Sequence, residues 1–255
     1  MVSVDLNCDL GESYGVFKIG NDSEVLKQIT SANIACGYHA GDHNVMMETV
    51  KIAKAHGVKI GAHPGFPDLH GFGRREIMMS TREIYNLTVY QIGALAAAAK
   101  ACGTNVVHVK PHGALYNMAA KDHKVAEAIA RAVADVDSNL VLFGLAGSCL
   151  VKAGKETGLQ VAHEVFADRT YLTDGTLTPR SDANAMIHDE TLAMKRVVQM
   201  VKEGKVEAVD GTDIEIQADT ICIHGDEPQA FNFAVKLRET LLFEGIEVGR
   251  SWNAK

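Results

Sequence analysis

Runs rich in apolar and β-branched residues recur along this chain, at 2–8, 31–36, 58–63, 105–110, 140–145, 160–166 and 219–224. Between them lie segments with the apolar spacing of amphipathic helices, at about 22–29, 43–56, 81–102, 121–135, 148–157, 188–203 and 228–243. Strands joined through a helix run parallel, because the crossover carries the chain back to the end of the sheet where it began. About seven βα units in a row therefore allow a closed barrel or a doubly wound open sheet, and periodicity alone does not choose between them. The helix ends are punctuated as such units require. Ser80 with Glu83 is a capping box, Asp226 or Glu227 precedes a first-turn Pro228, and Gly57, Gly103, Gly158, Gly204 and Gly245 follow helix ends.

At 255 residues and 47% hydrophobic content the chain can bury a large core, and the reading is one α/β domain over residues 1–255. The net charge of -7 is spread along the sequence without a Lys/Arg run, which argues against nucleic acid or an anionic membrane and leaves small molecules as ligands. No apolar run approaches the ~20 residues that span a bilayer. The N-terminus enters Val4-Asp5-Leu6-Asn7 without a basic and apolar leader, so the expected location is the cytoplasm. Cys8, Cys36, Cys102, Cys149 and Cys222 are odd in number and lack a CxxC pair, so they read mainly as small buried apolar residues, with strand-end Cys36 as the exception.

Polar residues collect at the strand ends, where a parallel α/β fold places its site. Alternation puts Asp5, Asn7 and Asp9 on one face of the first strand and Val4, Leu6 and Cys8 on the other. In the fourth, Val106, His108, Lys110 and His112 share a face, and a lysine between two histidines is costly to bury without partners. The sixth strand offers Glu164 and Asp168, the seventh His224 and Asp226, and the second and third Asn33, His39, Asp42 and His63. Asp42 is equally readable as the cap of the helix beginning near His43, His108 as a structural histidine, and His56, His123 and His188 as solvated helix residues. The long connections 64–80 and 167–187 read as binding loops, and Arg169 and Arg180 in the second can reach an anionic substrate.

Carboxylates and histidines move protons, a lysine steadies an oxyanion, and an aspartate with two histidines can hold a divalent metal with positions left for water. Hydrolysis suits all three. The chain has no GxSxG elbow, HExxH helix or GxGxxG turn, and Ala153-Gly154-Lys155 is followed by Glu156 where a phosphate-binding loop needs Ser or Thr.

Several strings together are more specific than any one residue. Asp5-Leu6-Asn7-Cys8-Asp9-Leu10-Gly11-Glu12 and Asn33-Ile34-Ala35-Cys36-Gly37-Tyr38-His39-Ala40-Gly41-Asp42 resemble the opening signatures of the LamB/YcsF family. Gly61-Ala62-His63-Pro64-Gly65-Phe66-Pro67-Asp68, Val109-Lys110-Pro111-His112-Gly113-Ala114-Leu115-Tyr116-Asn117, Glu164-Val165-Phe166-Ala167-Asp168-Arg169-Thr170-Tyr171 and His224-Gly225-Asp226 continue the resemblance. It implies an α/β fold, a distorted seven-stranded (β/α) barrel of the glycoside hydrolase/deacetylase type. It also implies an ATP-dependent 5-oxoprolinase, which opens 5-oxo-L-proline to L-glutamate as ATP becomes ADP and phosphate, with B and C subunits as partners that bind ATP or share it.

Within that implied chemistry, Asp5 or Glu164 is the expected general base, beside Asn7, and Lys110 stabilises charge on the lactam oxygen. His112 or His224 protonates the leaving nitrogen, while Asn33, His39, Arg169 and Arg180 position the substrate. The alternative, by analogy of fold, is a metal-dependent deacetylase of carbohydrate or amide, with a divalent metal at Asp9, His63 and His112.

Overall fold

The structure, a computed structural model, describes residues 2–223, 230–249 and 252. In chain order it runs β1 (Ser3–Leu10), α1 (Asp22–Val25), β2 (Ser31–Ala35), α2 (His43–Ala55), β3 (Lys59–His63) and α3 (Thr81–Ala101). Next come β4 (Val106–Val109), α4 (Gly113–Lys121), α5 (His123–Val136), β5 (Val141–Leu145), α6 (Cys149–Glu156) and β6 (Gln160–Phe166). The last part holds α7 (Glu190–Glu203), β7 (Lys205–Glu207), β8 (Asp213–Glu215), β9 (Thr220–Ile223), α8 (Ala230–Phe243) and β10 (Glu247–Val248).

Strands β1 to β6 pair in sequence order, β6 pairs with β9, and β9 returns to β1 with Asp5 opposite Thr220. Seven parallel strands thus close on themselves, which settles the choice between barrel and open sheet. A register shift at Ile60/Gly61, between β3 and β4, distorts the cylinder. β10 adds a short parallel pairing to the first residues of β1, and β7 and β8 form a separate antiparallel hairpin.

Alternation along β1 divides the molecule into two environments. Val4, Leu6, Cys8 and Leu10 belong to the main apolar core, whereas Asp5 and Asn7 are buried among polar partners from other barrel strands. The capping box is formed as predicted, the Ser80 amide donating to Glu83 Oε2 at 2.8 Å. Asp42 caps α2, accepting from the amides of Asn44 and Val45, so the capping reading of this residue holds.

The helix expected at 121–135 is α5, but a further helix precedes it: α4 begins at Gly113, and Asp122 ends it and caps α5 by accepting from the Lys124 amide. One expected length is corrected. α1 is one turn, Asp22–Val25, rather than the predicted 22–29. No helix among the described residues is long and apolar enough to cross a membrane.

Candidate active site

The polar interior is layered along β1. Near its start, Asp5 accepts from Thr30 Oγ1 at 2.8 Å, Ser31 Oγ at 2.7 Å and Thr220 Oγ1 at 2.7 Å, with Lys59 Nζ at 3.6 Å. Asp5 does not line the mouth cavity, and its carboxylate ties three strands together. Asp5→Asn, which sets an NH2 group against hydroxyl donors, is expected to cost about 1–3 kcal/mol of stability while leaving kcat within roughly twofold. Denaturant unfolding and steady-state rates check this.

The next layer carries Asn7, whose Nδ2 donates to Thr220 Oγ1 at 2.7 Å and whose Oδ1 accepts from Asn33 Nδ2 at 2.8 Å. Asn33 also donates to Asp9 Oδ1, and its own Oδ1 meets His108 Nε2 at 2.8 Å. His108 stacks on Phe143 with centroids 4.3 Å apart and is deep in the barrel, the structural histidine of the two readings. The space it occupies exists because residue 61 has no side chain: a Cβ there would lie 2.0 Å from His108 Nε2.

Lys110 sits above this layer. Its Nζ lies 2.9 Å from Asp9 Oδ1, 2.8 Å from Glu164 Oε1, 3.2 Å from Asn7 Oδ1 and 3.0 Å from Cys222 Sγ. Burial opposes the charge, but Asp9, Cys222 and Glu164 outweigh it and hold the ammonium well above the usual lysine range. Burial likewise opposes ionised Asp9, yet His63 and Lys110 keep its carboxyl well below the ordinary range. Glu164 accepts on its other oxygen from Tyr116 Oη at 2.6 Å. These are the partners that a buried lysine requires.

Three histidines crowd the rim beside Asp9. His63 Nδ1–H donates to the Lys110 carbonyl at 2.6 Å, and His112 Nε2–H donates to the Phe72 carbonyl at 2.8 Å. The remaining nitrogens, His63 Nε2 and His112 Nδ1, face each other at 2.9 Å, with Asp9 Oδ2 3.2 Å from the former. Burial, helped by His63, pushes His112 down to about 3, so this imidazole is neutral. Its N–H is committed to the Phe72 carbonyl, which fixes the orientation of the ring. Among the described residues Phe72 alone has a positive φ outside glycine, 53°, and this strained turn carries the carbonyl that orients His112.

His39 stacks on His112 with centroids 3.8 Å apart, and Glu12 Oε1 lies 3.6 Å from His39 Nε2 and 3.8 Å from His112 Nδ1. Donor atoms of Glu12, His39, His63 and His112 all fall within 4.8 Å of one another, a group with the chemistry to hold a metal ion. Above it opens a cavity of about 630 Å³ lined by Asp9, Lys110, His112, Tyr116, Arg74 and Arg180 among others.

The sequence reading thus converges on one place for Asn7, Asp9, Asn33, His39, His63, Lys110, His112 and Glu164. Arg169 borders the cavity, and its guanidinium donates to the carbonyls of Ala185 and Thr178, which secures the loop. Arg180 remains on the cavity wall. His224 lies outside the described residues. Glu12 and Tyr116 were assigned no role from sequence, since Glu12 follows the Gly11 turn and Tyr116 belongs to the unforeseen α4.

The family model for the LamB/YcsF family matches residues 4–254. Over 245 residues, 96% of this chain and 95% of the relative, the sequence is 62% identical to the A subunit of 5-oxoprolinase from Oceanobacillus iheyensis. Among solved structures it is similar to the lactam utilization protein from Thermus thermophilus, with 49% identity and a TM-score of 0.92 over 97% of this chain and 99% of that one. A deacetylase solved with its substrate shares 14% identity and a TM-score of 0.51 over 97% of this chain and 87% of its own, a likeness of fold alone. The match to the family along nearly the whole sequence, with a barrel that superposes on a close relative, means that this chain belongs to the LamB/YcsF family.

Proposed function

We propose that this chain is the A subunit of an ATP-dependent 5-oxoprolinase and that the lactam ring of 5-oxo-L-proline opens in the mouth of its barrel. The observation that carries the reading is the Lys110 ammonium, fixed between Asp9 and Glu164 and lining a cavity of about 630 Å³. A preorganised cation costs no reorganisation when charge develops beside it, which is the requirement for stabilising the oxygen of a lactam under attack. The name and sequence identity of the Oceanobacillus iheyensis relative support the same substrate.

In this reading Lys110 stabilises the lactam oxygen, or a phosphoryl group transferred to it. Asp9, the carboxylate that reaches the cavity, accepts a hydrogen bond from the attacking water. Glu164 holds the lysine, and Tyr116 holds Glu164. Arg74 and Arg180 on the wall attract the substrate carboxylate. Attack of water forms the new C–O bond and breaks the C–N bond, and the released nitrogen takes a proton from solvent in the mouth. Where the lactam oxygen carries the γ-phosphoryl group of ATP, ADP having left, the ring opens to an acyl phosphate that a second water hydrolyses to glutamate and phosphate. Glu12, His63 and His112 are placed to hold a divalent cation, which when bound supplies Lewis-acid polarisation of a carbonyl oxygen. ATP is bound by, or together with, the B and C subunits, and its use places the reaction in the cytoplasm.

Glutamate formation from 5-oxoproline and ATP by the three mixed subunits, with each omitted in turn, tests this reading. Glutamate is expected only from the complete mixture. Efficient ATP-coupled turnover by this chain alone would overturn the division of labour, and no glutamate from the full set would overturn the activity. Release of acetate from an N-acetylated sugar by this chain alone would replace the reading with the deacetylase.

A further inference from the structure

We infer that Glu12, His63 and His112 form a binding site for one first-row divalent cation of the zinc class, with Asp9 on its open side. This assignment stands on geometry and is independent of the substrate.

Hydrogen bonding fixes the protons first. The carbonyls of Lys110 and Phe72 only accept, so His63 Nδ1 and His112 Nε2 carry hydrogen, and the opposite nitrogens turn toward each other at 2.9 Å. Two lone pairs at that separation repel unless a proton or a cation lies between them. The rings meet at 84°, which lets both lone pairs converge on one point. Carbonyl partners on the far nitrogens are the usual supports of metal-bound imidazoles.

Spacing selects the cation. Bonds of about 2.0–2.1 Å in a tetrahedron separate neighbouring donors by about 3.3 Å. The distances of 2.9 Å between His63 and His112 and 3.8 Å between His112 and Glu12 bracket that value. Two imidazoles and one carboxylate suit zinc and its neighbours rather than magnesium or calcium, which take oxygen donors. His63 and His112 line the mouth cavity, so the fourth position faces the space where a ligand enters.

The same geometry removes His39 from the set. A ring nitrogen coordinates along its own plane, and the His39 and His112 rings are parallel within 5° at 3.8 Å. Both cannot aim at one ion. His39 is therefore a positioning residue that stacks His112 in place, with Nε2 3.6 Å from Glu12.

The test uses the purified chain, stripped with a chelator and titrated with Zn²⁺ by calorimetry and with Co²⁺ by visible absorption. One equivalent of each is expected, with the intense Co²⁺ bands of a four-coordinate site and a raised Tm. Glu12→Gln and His112→Asn, checked for folding by circular dichroism, should lose that equivalent and those bands. His39→Asn should keep both, at weaker affinity. Wild-type protein that takes up no stoichiometric Zn²⁺ or Co²⁺ overturns the site. A folded His39→Asn variant without the bands, or a folded Glu12→Gln variant that keeps them, overturns this ligand set.

Discussion

Replacing Lys110 by methionine is expected to lower kcat of the reconstituted enzyme about 10²- to 10³-fold, with a smaller change in KM. The substitution keeps most of the volume and removes the charge that stands between Asp9 and Glu164. It also leaves two buried carboxylates facing a thioether, and loss of one partner from a buried ion pair costs about 3–5 kcal/mol. A fall in Tm of roughly 6–20 °C should accompany the loss of rate. The double variant Lys110→Met with Glu164→Gln separates the two effects. Neutralising Glu164 removes one stranded charge, so at least half of the lost stability should return while kcat stays low. Recovery of kcat together with Tm would make Lys110 a structural ion-pair partner only, and an unchanged kcat in the single variant would remove it from the chemistry altogether.

Gly61→Ala is also expected to damage folding, for a reason of space alone. The added methyl would lie 2.0–2.3 Å from three atoms of the His108 ring. That ring cannot swing aside, since Asn33 holds its Nε2 and Phe143 covers its face. Overpacking of this kind costs about 1–3 kcal/mol where neighbours yield, and at a fully buried barrel strand the upper end or beyond is expected. Soluble yield and urea midpoint measure it. Gly61→Ala combined with His108→Ala, which vacates the site of the clash, should recover part of the loss. A single variant as stable as the parent would show that the His108 layer is looser than its contacts indicate.

The parallel strands were legible from the βα repetition, whereas their closure into a barrel came only with the family resemblance, and the interior was legible because alternation is strict: Asp5, Asn7 and Asp9 face inward together as the period of two requires. What alternation cannot give is height along the barrel. Asp5 and Asp9 look alike in the sequence, yet one is enclosed by hydroxyls at the base while the other lines the mouth. Residues beyond the strand ends were harder to read. Glu12 reaches the histidines only after the chain turns at Gly11, φ +70°, where no simple period applies. Tyr116 was hidden because Pro111 and Gly113 look like helix breakers, whereas Gly113 starts α4 and sends Tyr116 back toward Glu164. The Phe72 carbonyl that orients His112 is backbone, and no residue type announces it.

The seam between β1 and β9 imposes an order on synthesis. Asp5 and Thr220, which meet across it, are separated by 215 positions in the chain. At roughly 5–20 residues per second, the first strand waits on the order of ten to forty seconds on the ribosome for the partner that closes the barrel. Throughout that interval one edge of β1 is open to any other strand. The inward carboxylates Asp5 and Asp9, later enclosed by hydroxyls and by Lys110, are then solvated charges along that edge, and such charges discourage mispairing. The groups that furnish the mature interior therefore also guard the nascent chain until Thr220–Ile223 emerges to complete the cylinder.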